Sequence, residues 1–380
     1  MTPRLRLLRA LRREPVDRIP VSTYEFHPFG GCWAAEEPSY RPLLELQRER
    51  GDTFVFAPSA TALLGDPNQI RTGVERTQRE GITRQTVPTP RGDLTSVSRT
   101  DHGVATSWTL KHFIETDEDI ERFLSIPYRF VAPDLPEVRR LEAVAGEQGL
   151  LLFSIGDPLG VITGLCDYTF FVTRIATDAG LARELLDRGS RFIRDTVQWI
   201  NAGFRDVGVR FWGPEYCGAP LMDPRKHFRT LVVERLAPLV GLVHAGGNVA
   251  LVHCHGRLDA LLEMILELGA DALEPLEVLP ATTADLTMAD IRRRVGDRMC
   301  LAGGMQAVDL DTGTPELIRR RVRAIVEQAG TQGLILLPTS TPLGIPLPSR
   351  VVENYRAMFE EAGAVGPSGA ARPTGAAAGP

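Results

Sequence analysis

Short apolar runs alternate with longer amphipathic stretches along most of the chain, the pattern of strand–helix units that build a parallel sheet. Eight runs read as strands: residues 18–23, 52–56, 149–154, 206–212, 248–253, 272–276, 299–302 and 333–337. Several are almost unbroken in Val, Ile, Leu and Phe, as strands covered on both faces must be. Between them, residues 181–202, 227–245, 258–268, 288–295 and 315–328 repeat apolar positions at helical spacing. Gly269, Gly296 and Gly330 each stand between such a segment and the next strand, where a helix stop belongs. Eight strands followed by helices predict an α/β fold, a (β/α)8 TIM barrel, with a doubly wound sheet as the alternative.

The second and third strands lie almost a hundred positions apart. Inside that gap, residues 69–114 alternate polar and β-branched residues around PTPRGD and DHG, which predicts an antiparallel hairpin insertion. Helical stretches follow at 117–124 and 135–147. The barrel is expected to occupy 1–362. The Ala-, Gly- and Pro-rich segment 363–380 cannot bury a core and is expected to be disordered.

Composition narrows the function classes. With 43 basic and 48 acidic residues the net charge is -5, which argues against a globally basic nucleic-acid binder. No apolar run is long enough to cross a membrane. The Arg-rich start lacks the features of a secretory signal. Five cysteines with no CxxC pair read as reduced thiols in a cytoplasmic protein.

In a barrel of this kind the chemistry sits where the strands end. Glu25 and His27 follow the first strand, Asp157 the third, and Glu215, Tyr216 and Cys217 the fourth. His253, Cys254 and His255 end the fifth, and Glu274 and Glu277 mark the sixth. Gln306 closes the seventh and Ser340 the eighth. In extended chain, positions i and i+2 share a face, so His253 and His255 turn one way and Cys254 the other. Two such imidazoles can hold Zn(II), with Glu215 or Cys217 supplying a further ligand. They can equally cap a turn and line a pocket. Glu274, Glu277 and Glu25 are candidate catalytic carboxylates, although a strand-end Glu can also support a neighbouring His or Arg or a helix start. His27, Asp157, Tyr216, Gln306 and Ser340 are candidate substrate ligands. Asp157 precedes Pro158 and could instead start a helix.

These residues bring a family resemblance. The opening LRALRREPVDRIPV, the stretch from DVGVRFWGPEYCG through HCHG to LGADALEPLE, and the closing GDRMCLAGGMQ and LLPTSTPLGIPLPSRVVENYRAM resemble the uroporphyrinogen decarboxylase superfamily over most of residues 8–362. True uroporphyrinogen decarboxylases carry Arg-Gln-Ala-Gly-Arg after the first strand, where this chain reads Tyr24, Glu25, Phe26, His27, Pro28. A rim of Glu25, Glu215, Glu274 and Glu277 would repel a porphyrinogen with eight carboxylates. The other branch, zinc-dependent corrinoid methyltransferases, uses His-x-Cys-Gly after the fifth strand and a Cys after the eighth. This chain matches at His253 and Gly256, has His255 in place of the first Cys, and offers Thr339, Ser340 or Thr341 in place of the second. The resemblance therefore implies a metal-dependent methyltransferase acting on a small molecule, with zinc as cofactor and a corrinoid on a partner protein. It also allows a homodimer. A metal-free decarboxylase of a small acid and an inactive binding homologue are the rival readings.

Overall fold

The computed structural model describes residues 1–58 and 62–365. Its strands, in chain order, are β1 Thr53–Ala57, β2 Arg71–Arg76, β3 Glu80–Val87, β4 Leu94–Asp101, β5 Ser107–Lys111, β6 Gly149–Ser154, β7 Gly208–Trp212, β8 Val249–His253, β9 Ala272–Leu276, β10 Cys300–Met305 and β11 Leu334–Pro338. Seven form one curled parallel sheet in the order β1-β6-β7-β8-β9-β10-β11, the sequential neighbour order of a TIM-barrel-like architecture.

The strand expected at 18–23 is reduced to a single bridge, Val21 to Leu336. Leu336 N donates to Pro20 O (2.9 Å) and Ser22 N to Leu336 O (3.1 Å), while Asp52 N donates to Val21 O (2.7 Å). The segment thus touches β11 on one side and the start of β1 on the other. It cannot extend its ladder, because Pro20 has no N–H to give and Tyr24 turns the chain with φ 87°. Buried Asp52 anchors it, accepting from Val21 N and from Arg6 and Arg18. Arg18 is held in that ion pair.

Alternation along the strands sorts the apolar residues into two cores. Leu150, Leu152, Val249, Leu251, Ala272, Cys300, Ala302, Ile335 and Leu337 turn to the inside, and helix Pro3–Leu11 packs Leu7, Leu8, Ala10 and Leu11 onto them. Leu151, Phe153, Val209, Phe211, Ala250, Val252, Leu273 and Leu336 turn outward, under the flanking helices. Cys254 lies in this outer core, as its alternation with the two histidines predicts.

The helices follow their amphipathic periods. Ala179–Gly203 is capped by the Asp178 carboxylate on Leu181 N. Met288–Val295 opens with a Thr287–Asp290 capping box and stops at Gly296, φ 57°. Pro315–Ala329 stops at Gly330, φ 72°. The helix expected over 227–245 is broken into Pro224–Phe228, a wide turn at Arg229–Val233 and Glu234–Ala245. Pro238 lacks the N–H that the Glu234 carbonyl would accept, and the wide turn ends there. The helix expected over 258–268 shortens to Leu262–Glu267.

The 69–114 segment forms a four-stranded antiparallel sheet, β2-β3-β4-β5, rather than one hairpin. Its turns fall at the predicted places, with Gly92 and Gly103 at φ 105° and 84°. The last helix, Ser349–Val365, runs through the first residues of the expected tail, and 366–380 lie outside the described residues. No disulfide joins the five cysteines. Among the described residues no helix is long and apolar enough to cross a membrane.

Candidate active site at the carboxyl edge of the sheet

The alternation that buries Val249 and Leu251 inside brings His253 to the same face at the end of β8, and the register pairs it with Trp212 and Glu274. Arg210 lies two residues before Trp212, in register with Ser154, so it shares that inner face. β9 carries one extra residue between its pairings with Leu301 and Gly303, a bulge at Glu274–Pro275. Bulges at sheet rims re-aim side chains, and this one sets the position of Glu274.

Arg210 is the centre of the cluster, and rim-by-rim reading of the sequence missed it. Its side chain is only 4% exposed. Nε donates to Glu274 Oε1. Nη1 donates to Glu25 Oε1 (2.8 Å) and Ser154 Oγ (3.2 Å), and Nη2 to Tyr24 Oη (2.8 Å) and His253 Nδ1 (2.7 Å). All five N–H donors of the guanidinium are used. Burial disfavours its charge, yet Glu274, Tyr24 and Glu25 outweigh burial and raise its pKa. Burial would raise the Glu274 carboxyl, but the same guanidinium holds it down to about 2.

A second pair lies beside the first. His255 Nδ1 is 3.0 Å from Glu277 Oε1, and Glu277 Oε2 accepts from Gly256 N at 3.0 Å. The His253 and His255 rings meet edge to face, with centroids 4.6 Å apart. Burial lowers the basicity of His255, but its hydrogen bond to Glu277 and the surrounding carboxylates more than offset that, and the pKa is raised. The side chain is 39% exposed. Neither His253 Nε2 nor His255 Nε2 has a hydrogen-bonding partner among the described residues, and neither is sealed from solvent.

Other predicted residues stand apart from this cluster. Asp157 is the N-cap of Pro158–Thr163, its Oδ1 accepting from Gly160 N at 2.5 Å. Its Oδ2 is buried with no partner, and burial raises its pKa well above the usual carboxylate range. His27 is buried with Nδ1 unpartnered, and desolvation lowers its pKa to about 4. Tyr216 stacks on Tyr168, whose hydroxyl donates to the Tyr216 carbonyl. Gln306 caps the next helix, with Nε2 buried and unpartnered. Ser340 Oγ donates to Thr341 O within its own turn.

The expected zinc ligands do not fit the ion. Among the described residues no three His, Cys, Asp or Glu side chains gather closely enough to hold a metal. Cys217 is fully buried in the outer core, and desolvation pushes its thiol up to about 12, whereas zinc takes a thiolate. Glu215 turns back onto Gly213 N at 3.0 Å. His253 Nδ1 is taken up by Arg210 Nη2 (2.7 Å), Glu274 Oε1 (3.1 Å) and Tyr24 Oη (3.3 Å), which sets a fixed cation against its ring.

The comparisons with known proteins agree with this architecture. No curated protein matches the sequence closely enough to count as a relative. Among solved structures, a methyltransferase from Methanosarcina mazei superposes with a TM-score of 0.62 at 17% identity, covering 95% of this chain and 99% of that one. A B12-independent methionine synthase from Shewanella sp. W3-18-1 gives 0.46 at 10% identity, covering 78% and 76%. At 17% identity the first likeness speaks to the fold. The profile of the uroporphyrinogen decarboxylase (URO-D) family matches residues 114–364, and the chain belongs to that family.

Proposed function

We propose that this chain is a methyltransferase-like enzyme of the URO-D superfamily, built on a closed (β/α)8 barrel, in which the His255–Glu277 pair handles the acceptor's proton. The observation that carries this reading is the 3.0 Å contact from His255 Nδ1 to Glu277, with the other Glu277 oxygen fixed by Gly256 N. That pairing has His255 Nδ1–H donate to the Glu277 carboxylate and leaves Nε2 as a base, the logic of an oriented acid–base dyad. Glu277 and the surrounding carboxylates also raise the basicity of that ring. The methyl donor is a corrinoid on a partner protein or a methylated small molecule, which supplies an electrophilic methyl group. The acceptor's proton passes to His255 Nε2. The freed electron pair forms the bond to the methyl carbon, and the carrier leaves with the pair of the broken bond. Porphyrinogen decarboxylation is disfavoured, because every Arg210 donor is already used and none remains for a substrate carboxylate.

The test is methyl transfer from methylcobalamin to a panel of thiols and alcohols. His255→Gln and Glu277→Gln should each lower kcat by about 10²–10⁴ while leaving the protein folded. Coproporphyrinogen formation from uroporphyrinogen, or methyl transfer unaffected by both substitutions, would overturn the reading.

A further inference from the structure

We propose that the Arg210 guanidinium is the built-in cation of this site, standing where a metal ion would otherwise neutralise the carboxylates, and that it fixes His253 as a hydrogen-bond donor to the ligand through Nε2. Three observations on the inner face carry this. First, Arg210 sits within a sheet strand at 4% side-chain exposure and binds two carboxylates from different parts of the chain, Glu25 and Glu274. A buried carboxylate needs a partner, and a fork of five donors can satisfy several acceptors at once. Second, the contacts to Ser154, Tyr24 and His253 use the remaining donors, so the guanidinium is consumed by the protein and is a positioning group, not a substrate receptor.

Third, His253 Nδ1 lies 2.7 Å from Arg210 Nη2 and 3.1 Å from Glu274 Oε1. The ring nitrogen cannot satisfy both. Arginine has no lone pair and does not deprotonate, so the shorter contact requires Nδ1 to accept, and the single proton of the neutral ring goes to Nε2. Glu274 Oε1 already accepts a hydrogen bond from Arg210 Nε. Nε2, which keeps solvent contact and has no protein partner among the described residues, is thus a donor awaiting an acceptor.

The ligand class follows. Two carboxylates face one guanidinium, leaving one negative charge uncompensated around the donor. The ligand is a neutral or cationic small molecule that presents an acceptor atom, such as an ether or carbonyl oxygen, to His253. A second cation is unwelcome at His253 itself, because a fixed positive charge already touches its ring and the ligating lone pair is capped by a proton. This inference does not depend on methyl transfer being the reaction, and its test is independent of turnover.

The experiment is nitrogen NMR on full-length protein labelled at histidine ring nitrogens, with His253→Asn to assign the signals. The wild type should show His253 Nδ1 as the unprotonated, acceptor-type nitrogen and Nε2 as the protonated one. In chelator-stripped protein, calorimetric titration with zinc alone should show binding about 10- to 100-fold weaker for wild type than for Arg210→Met, which frees Glu25, Glu274 and His253. A proton found on His253 Nδ1 would overturn the inference. So would one tight zinc per wild-type chain that abolishes the Nε2–H signal, or equal zinc affinity in wild type and Arg210→Met. Should Arg210→Met fail to fold, Arg210→Lys keeps a cation without the fork, and the wild-type tautomer alone still decides.

Discussion

Asp157 shows how burial alone changes what a carboxyl group is. With no exposure, its Oδ1 bonded to Gly160 N and no partner on Oδ2, burial favours the neutral form of the group. Asparagine has the same shape and keeps an oxygen for Gly160 N. Asp157→Asn should therefore change stability by less than about 1 kcal/mol, whereas Asp157→Ala should lose a cap contact worth about 1–2 kcal/mol. Urea midpoints of the two variants measure the difference, and equal large losses would mean that the carboxyl is ionised. Asp157 was legible in the sequence as a helix start, because Pro158 follows it. Arg210 was not. A lone arginine inside GVRFW breaks an otherwise apolar strand, and a charge at such a position must find partners. That was the available signal, but its partners lie 185 and 186 residues away at Glu25 and Tyr24, a separation that no local pattern reveals.

Secondary structure follows the sequence closely where caps and periodicity agree, as in Met288–Val295 and Pro315–Ala329. It departs at Pro20, and at the wide turn Arg229–Val233 that precedes the helix holding Pro238. The junction of β9 and β10 carries the tightest requirement. Gly303 has φ 137°, and a Cβ there would lie 2.3 Å from Leu276 N. The backbone of β9 can shift away only by disturbing the bulge that holds Glu274, which lies directly before Leu276. Gly303→Ala combines positive-φ strain with a backbone clash and should cost roughly 2–4 kcal/mol. The same shift in β9 should also move Glu274 off Arg210. Denaturant unfolding tests the first consequence and the His253 nitrogen signals the second. A variant as stable as wild type would show that the strands can separate without penalty.

At the scale of the whole molecule, stability should fall in mildly acidic solution. His27 has its pKa lowered from the ordinary 6.5 to about 4 by desolvation, so between those values the unfolded chain takes up a proton that the folded chain refuses. The contribution is fully present above about pH 6.5 and is lost as pH falls toward 4, at about 1.4 kcal/mol per unit and roughly 3 kcal/mol in all. Urea midpoints across this window should drop less steeply in His27→Gln than in wild type. Parallel slopes would assign the acid sensitivity elsewhere. The sequence made the α/β class and the parallel strands legible, because buried runs of Val, Leu and Ile leave few other arrangements. It did not reveal that the antiparallel sheet has four strands, because β2 and β5 are largely exposed and carry no buried stripe to mark them.

The span between Arg210 and its partners also bears on how the protein is made. Glu25, Tyr24 and Ser154 precede Arg210 in the chain, but Glu274 follows it by 64 residues. At about 5–20 residues per second of synthesis, Arg210 is in place about 3–13 s before Glu274 has been added. During that interval β9 is missing beside β8, and the guanidinium must remain hydrated or lean on Glu25 as its one carboxylate. The inner face can therefore dry out only after the fifth parallel strand, β9, has joined the sheet, and a nascent chain stalled before residue 274 would hold a charged, wet interior open to the cell's proteases.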